Sequence, residues 1–383
     1  MKRGKKIFGK IHLWLGLASG LVIMVVALSG SLLVFRDELE PLLYKKLMIV
    51  AEGTQRKPLD ELMAIAQQQA PAAKISQVRV YNNPRRSVLM LLGKREDDGN
   101  ALQVAIDPYT GAILGKGPFN KQFFQVVLRL HRYLLAGSIG KTITGISCLC
   151  FTILLVSGMI LWWPANKNAI KQRFRVKWDA RFKRLNWDLH AVLGFYASAF
   201  LLTIALTGLV WSFKWLNNSI YWLADGKLPK PNRVASKHPA QPQAAGIYQQ
   251  MLNATNASFT FHGDINMVIP PEKNMAISVS KTNLDAVVHR KISSIFFDNK
   301  TGEKIEERPF EKESRGSKIR RMIYPVHTGG LYGWPTKIIA LLSALFAASL
   351  PVSGVLIWLG KKKKARKKQP APNPRLAVEL VGS

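Results

Sequence analysis

At 383 residues, with hydrophobic side chains at 48% and a mean hydropathy near zero, the bulk composition would suit a soluble protein. Its apolar residues, however, are gathered into long uncharged runs, which excludes one. The formal net charge of +32 is gathered too, in clusters that abut those runs, so no nucleic acid is expected among the partners. With only Cys148 and Cys150 in the chain, a disulfide-stapled scaffold is also excluded.

In chain order, residues 1–10 form a basic N-terminus (Lys2, Arg3, Lys5, Lys6, Lys10) ahead of a first apolar run over 11–35. Crossing a hydrocarbon core takes about 20 apolar residues, so this run is long enough to span. Ala27-Leu28-Ser29 would make a passable signal-peptide site, but the run is long for a signal and the helix is expected to be retained. Residues 36–142 then form a first polar domain. Within it 58–69 reads as an amphipathic helix. Asp107-Pro-Tyr-Thr-Gly111, between β-rich runs at 102–106 and 112–114, reads as a hairpin with glycine in the left-handed position. Residues 123–135 read as an amphipathic helix lying in the interface and carrying His131, cut off from the next run by Gly137 and Gly140.

The second run, 143–163, holds both cysteines; two apart on a helix, they point to different faces. The loop over 164–190 is again basic (Lys167, Lys171, Arg173, Arg175, Lys177, Arg181, Lys183, Arg184), and a third run follows at 191–213. The second polar domain, 214–337, carries a helix at 243–252 and an Asp298-Asn-Lys-Thr-Gly302 turn between β-rich runs at 292–297 and 304–305. Gly329, Gly330, Gly333 and Pro335 break the chain before the fourth run, 338–359, and the tail over 360–383 opens on four lysines from Lys361. The three basic clusters must share one side of the membrane, which the positive-inside rule makes the cytoplasm. Both termini are therefore expected there, with 36–142 and 214–337 outside. The tryptophans read as interfacial belts, and the single His238, His262 and His289 as surface or core residues.

The chain also repeats itself. At an offset of 178 the first run aligns on the third, placing His12 on His190, Gly16 on Gly194, Ser29 on Thr207 and Gly30 on Gly208. At an offset of 196 the second aligns on the fourth, placing His131 on His327, Lys141 on Lys337, Ser157 on Ser353 and Gly158 on Gly354. The expected fold is a membrane α-helical protein with four transmembrane helices in two tandem parallel repeats. Each repeat contains two spans, so a pseudo-two-fold along the membrane normal relates the copies. Each copy carries an extracytoplasmic α+β domain.

Gly9-Lys-Ile-His12-Leu-Trp-Leu-Gly16-Leu followed by a Ser-Gly span, together with Leu130-His131-Arg132, resembles the PepSY-associated transmembrane helix family, and the D-x-x-T-G modules resemble PepSY domains. The resemblance covers nearly the whole chain. It implies a bacterial inner-membrane protein similar to the haem-containing reductases of ferric siderophores, in the form without a fused flavin domain.

Four of the seven histidines sit at membrane edges in symmetric pairs, His12 with His190 inside and His131 with His327 outside. Two imidazoles facing across an axis can clamp a b-type haem, and no C-x-x-C-H offers covalent attachment, so two haem b groups are expected. His12 to Gly30 and His190 to Gly208 are both 18 residues (30 − 12, 208 − 190), five turns, which keeps each glycine on its histidine's face. Gly30 and Gly208 are expected to clear space for the outer macrocycle and Gly158 and Gly354 for the inner one, with Gly16 and Gly194 letting that ring lie close. Arg132, Arg129, Arg320 and Arg321 outside, and Arg3, Lys6, Arg181 and Arg184 inside, are expected propionate partners. Electrons would enter from quinol or a cytosolic flavoprotein and leave to a ferric siderophore. Two rivals keep the histidines structural: a non-enzymatic PepSY protein that restrains an envelope protease or senses the envelope, and a transporter. Against transport, the spans hold no ionisable residue at mid-membrane depth.

Overall fold

The computed structural model describes residues 2–93, 101–164, 170–229, 233–238, 246–288 and 291–366. Its helices are α1 (Lys2–Leu33), α2 (Arg36–Leu43), α3 (Lys45–Met48), α4 (Leu59–Gln67), α5 (Phe123–Tyr133), α6 (Gly137–Trp162) and α7 (Ile170–Arg173). There follow α8 (Phe182–Asp188), α9 (Gly194–Ser212), α10 (Lys214–Asp225), α11 (Ile247–Ser258), α12 (Arg315–Thr328) and α13 (Trp334–Arg366). The strands are β1 (Ile75–Val80), β2 (Val88–Leu92), β3 (Leu102–Ile106), β4 (Ile113–Pro118), β5 (Gly263–Val268), β6 (Ile277–Asn283), β7 (Ile292–Phe297) and β8 (Lys304–Arg308). His289, the first residues of the 243–252 helix and the tail beyond 366 lie outside the described residues.

Among the described residues four helices are long and apolar enough to cross a membrane: Arg3–Leu33, Gly137–Trp162, Phe182–Ser212 and Trp334–Lys361. Each outruns the apolar segment that marks it, because a helix is propagated by backbone hydrogen bonds and good helix formers such as lysine extend it into the polar flank. α1 thus carries the basic residues from Lys2 onward, and α13 runs through the lysines from Lys361. The third helix is not uniform: α8 and α9 are joined through a π turn at Leu189–Leu193, which holds His190. The four pack as a square, α1 against α6 and α13, and α9 against the same two.

The breaks expected before the second and fourth spans are present. α5 ends where Leu134 and Leu135 turn left-handed, at φ 49° and 57°. α12 ends at Gly329, φ 73°, where a Cβ would come within 2.4 Å of the Thr336 carbonyl, so the turn requires glycine. Pro335 sits in the first turn of α13, where its missing N–H costs no intrahelical bond.

The eight strands form a single antiparallel sheet in the order β4-β3-β2-β1-β5-β6-β7-β8. Both D-x-x-T-G turns close hairpins as expected, with Gly111 at φ 78° and Gly302 at φ 71°. The two α+β modules, expected as separate units, join edge to edge at β1 and β5, from Gln77 opposite Val268 to Val80 opposite Ile265. One face of the sheet packs on α4 and α11 in a shared core that includes Leu62, Met90, Ile106, Met251, Ile277 and Phe297. Each such side chain contributes about 1.5–3 kcal/mol by leaving water. The two helices cap each other: the Asp60 carboxylate accepts the N–H of Tyr248 (3.2 Å) and Gln249 (2.8 Å), and Gln249 Oε1 accepts the N–H of Leu59 (2.8 Å).

The opposite face looks toward the helix bundle. α3 lies on β3 and β4 there, with Tyr44, Leu47 and Met48 against Leu89 and Ala105. The Tyr44 hydroxyl accepts the N–H of Phe123 at 2.9 Å, fixing where α5 begins. On the other half the Asp225 carboxylate holds the start of α12, accepting the Gly316 N–H at 2.9 Å and the Ser314 hydroxyl at 2.7 Å.

Candidate functional site

The histidines meet in two pairs, one at each end of the bundle. At the basic end His12 of α1 faces His190 of the π turn, ring centroids 6.4 Å apart. At the sheet end His131 of α5 faces His327 of α12, centroids 6.2 Å apart. Two imidazole nitrogens on opposite sides of one metal, each about 2 Å from it with its ring centre about 1 Å beyond, put centroids about 6 Å apart. Both pairs fit that spacing.

The hydrogen bonds decide which nitrogen is free. Nδ1 of His12 lies 2.9 Å from Ser157 Oγ, and Nδ1 of His190 lies 2.8 Å from Ser353 Oγ. Nδ1 of His131 lies 2.9 Å from the Val26 carbonyl and 3.4 Å from Ser29 Oγ. Nδ1 of His327 lies 3.0 Å from both the Ile204 carbonyl and Thr207 Oγ1. Each hydroxyl spends its own proton on its helix: Ser157 donates to Leu154, Ser353 to Leu350, Ser29 to Val25 and Thr207 to Thr203. It can therefore only accept from the imidazole. All four rings carry the proton on Nδ1 and present the Nε2 lone pair as a metal ligand would. This is the arrangement by which outer partners orient a ligating histidine.

Four of the glycines lie against the imidazoles. A Cβ at Gly30 would lie 3.0 Å from His131 Cε1; at Gly158, 3.3 Å from His12 Cε1; at Gly208, 3.3 Å from His327 Cε1; at Gly354, 3.5 Å from His190 Cε1. They seat the imidazoles, and the hydroxyl residue immediately before each glycine lies within hydrogen-bond reach of Nδ1. Four Ser-Gly or Thr-Gly dipeptides thus cradle four histidines. Gly16 looks onto Leu154, 3.8 Å from where its Cβ would be, and Gly194 has nothing within 4 Å. Since Gly30 is level with His131, the 18 residues from His12 to Gly30 also measure the spacing of the pairs, about 27 Å along α1 at 1.5 Å per residue.

The arginines divide. Arg321 is held on Glu313 by both Nε (2.7 Å) and Nη2, and Arg184 Nε donates to Asp188 at 2.9 Å, so both are engaged by carboxylates of their own chain. Asp188 is 2% exposed and also accepts the Lys177 N–H at 3.2 Å. Arg3 is exposed, about 14 Å along α1 from His12. Arg132 lies over Tyr133, its guanidinium 5.1 Å from the ring centre. Arg320 donates to Asn217 Oδ1 at 2.6 Å and lies 5.3 Å from the centre of the Trp211 ring, which in turn packs edge-on to His327 at 5.2 Å. Sequence reasoning missed the hydroxyl partners and Trp211. The hydroxyls left a signal, a Ser or Thr before each of the four glycines.

Four membrane-length helices under a sheet domain, with paired histidines at each end, define a polytopic membrane protein with two candidate metal-binding positions. A family model described as the PepSY-associated TM region matches residues 10–361, and the chain belongs to that family. No curated relative matches the chain.

Proposed function

We propose that this protein is a transmembrane electron carrier with one b-type haem at each end of its bundle, reducing a ferric siderophore on the sheet side. One observation supports the reading: two histidine pairs at 6.4 and 6.2 Å, each ring held through Nδ1 by a hydroxyl or carbonyl of another helix, which leaves Nε2 as the nitrogen available to a metal. Among the described residues no group of three or more His, Cys, Asp or Glu could hold a metal. Two imidazoles alone make a poor zinc site, which takes four ligands, but they complete a macrocycle that already supplies four nitrogens. Bound haem supplies a one-electron centre whose iron cycles between ferric and ferrous.

The chain's own residues do the rest. Ser157 and Ser353 at one end, and the Val26 and Ile204 carbonyls at the other, fix the tautomer and aim the ligands. With the chain taken as a tandem duplication, each pair draws one histidine from each copy across the pseudo-two-fold. The positive-inside rule turns the basic end to the cytoplasm of a bacterial inner membrane, where quinol or a cytosolic flavoprotein would donate, and turns the sheet outward. Reduction weakens hard-oxygen chelation of iron and releases it.

Absorption spectra of the purified protein test this. A Soret band is expected, with two haems per chain that acid–acetone extracts completely. His12→Ala or His190→Ala should remove one haem and His131→Ala or His327→Ala the other. Protein purified from haem-replete cells with no Soret band would overturn the reading and leave the regulatory and transport rivals.

A further inference from the structure

At the sheet end the chain leaves the bundle in the same way twice. α1 stops at Leu33 and α2 starts at Arg36; α9 stops at Ser212 and α10 starts at Lys214, after Phe213 has turned extended (φ −119°, ψ 117°). Arg36 and Lys214 are equivalent at the offset of 178. Each short helix supports the helix that bears a sheet-end histidine. α10 runs antiparallel to α12, with Asn217 accepting from Arg320 at 2.6 Å and the Asp225 carboxylate accepting from Ser314 and Gly316 at the far end. Beside α5, the Arg36 guanidinium lies 5.9 Å from the centre of the Phe124 ring, and Tyr44, which ends α2, accepts the Phe123 N–H. Away from those contacts both helices expose large apolar side chains. On α10, Trp215, Trp222 and Leu223 recur at i, i+7 and i+8 and are 63%, 63% and 76% exposed. The one acidic residue of that helix, Asp225, is turned to α12. On α2, Leu39, Leu42 and Leu43 recur at i, i+3 and i+4, with Leu42 72% exposed. Large apolar side chains gathered on one helix face mark a contact surface.

We propose that α2 and α10 are interfacial helices lying on the lipid surface at the sheet side, with these faces sunk into the boundary between headgroups and acyl chains. Lipid is the occupant because each face begins within three residues of a membrane-length helix and so continues a surface that already meets hydrocarbon. Tryptophan, which supplies two of the three exposed side chains on α10, is also the residue that this boundary selects. Lys214, exposed at the head of α10, has the reach to meet headgroup phosphates while its stem stays on apolar ground. Since α5 and α12 are mounted on these supports, the lipid surface as well as the spans sets how deep His131 and His327 sit. The inference goes beyond the electron-carrier reading and holds whether or not the pairs bind haem.

Spin labels would test this in full-length protein carrying Cys148→Ser and Cys150→Ser, reconstituted in liposomes of phosphatidylcholine and phosphatidylglycerol. Single labels would be placed through Leu223→Cys, Leu42→Cys and, on the exposed side of α11, Asn256→Cys. Power saturation compares collisions with oxygen, which concentrates among acyl chains, and with a water-soluble nickel chelate. The labels at 223 and 42 should show an oxygen-to-nickel ratio several-fold above that at 256, at a depth of about 5–10 Å into the boundary. Adding Trp215→Glu and Trp222→Glu should move the 223 label toward the nickel chelate and leave the 42 label where it was. Nickel access at 223 and 42 equal to that at 256 would overturn the proposal. Shielding of both labels from oxygen and nickel alike would overturn it too, and assign these faces to a second copy of the chain or another protein.

Discussion

The seat of each histidine is two residues wide, and its tightness is graded. The gap between a Cβ added at the glycine and the imidazole runs from 3.0 Å at Gly30 to 3.3 Å at Gly158 and Gly208 and 3.5 Å at Gly354. A Cβ at 3.0 Å must push a ring that is already held by a carbonyl, whereas 3.5 Å is ordinary van der Waals contact. Gly30→Ala should therefore displace His131 and broaden or remove the spectral signature of the sheet-end pair. Gly354→Ala should leave the basic-end pair within error of wild type. Equal effects of the two would show that the glycines serve helix packing instead. The glycines and their Ser or Thr neighbours were visible in the sequence as repeated pairs. Their purpose was not, because the partners are distant in sequence: 145 residues separate His12 from Ser157 and 102 separate Ser29 from His131. Periodicity reports which face of a helix a residue occupies; it cannot say what another helix lays against that face.

Among the elements, the β7–β8 hairpin is tied by a buried carboxylate at its turn. Asp298 is fully buried, and although burial opposes its charge, N–H groups of Thr301, His238 and Lys300 and the Ser236 hydroxyl hold its pKa well below the usual carboxylate range. A depressed carboxylate pKa stabilises the fold fully above the unfolded value, about 3.9, and that contribution is lost as pH falls through the folded value. Acid unfolding followed by circular dichroism should accordingly show stability of the sheet flat above about pH 5 and falling below about pH 4. Asp298→Asn should lower the plateau and flatten the fall; an unaltered acid limb would assign the transition to other carboxylates. The D-x-x-T-G pattern foretold this hairpin and its glycine. It did not foretell that Ser236, from a connecting segment, closes the turn.

For the whole molecule, the decisive feature is the seam between β1 and β5. α5 and α12 follow the strands at opposite edges of the sheet, β4 and β8, and pack on the bundle helices, where their histidines meet. The seam was illegible in the sequence because β1 and β5 read as ordinary short strands, and nothing in a strand's own pattern says that its free edge will be another domain's partner. Val78 lies in the middle of it, opposite Met267 on one side and Met90 on the other. Val78→Pro removes a ladder donor from a central strand, where proline is not tolerated. The variant should lose the sheet-end pair and become protease-sensitive between residues 36 and 142, while the basic-end pair, set by α1 and the π turn, persists. Retention of both pairs would show that the bundle alone aligns α5 and α12.

The division of each pair between the two halves of the chain has a bearing on biogenesis. By residue 164 a nascent chain has supplied His12 and His131, one imidazole for each end; their partners arrive only with His190 and His327. A molecule halted after two insertions offers single-sided sites with nothing opposite. Whatever the pairs grip can be held from both sides only once the fourth of these spans is in place, so two-sided retention of a ligand would record the insertion of both halves.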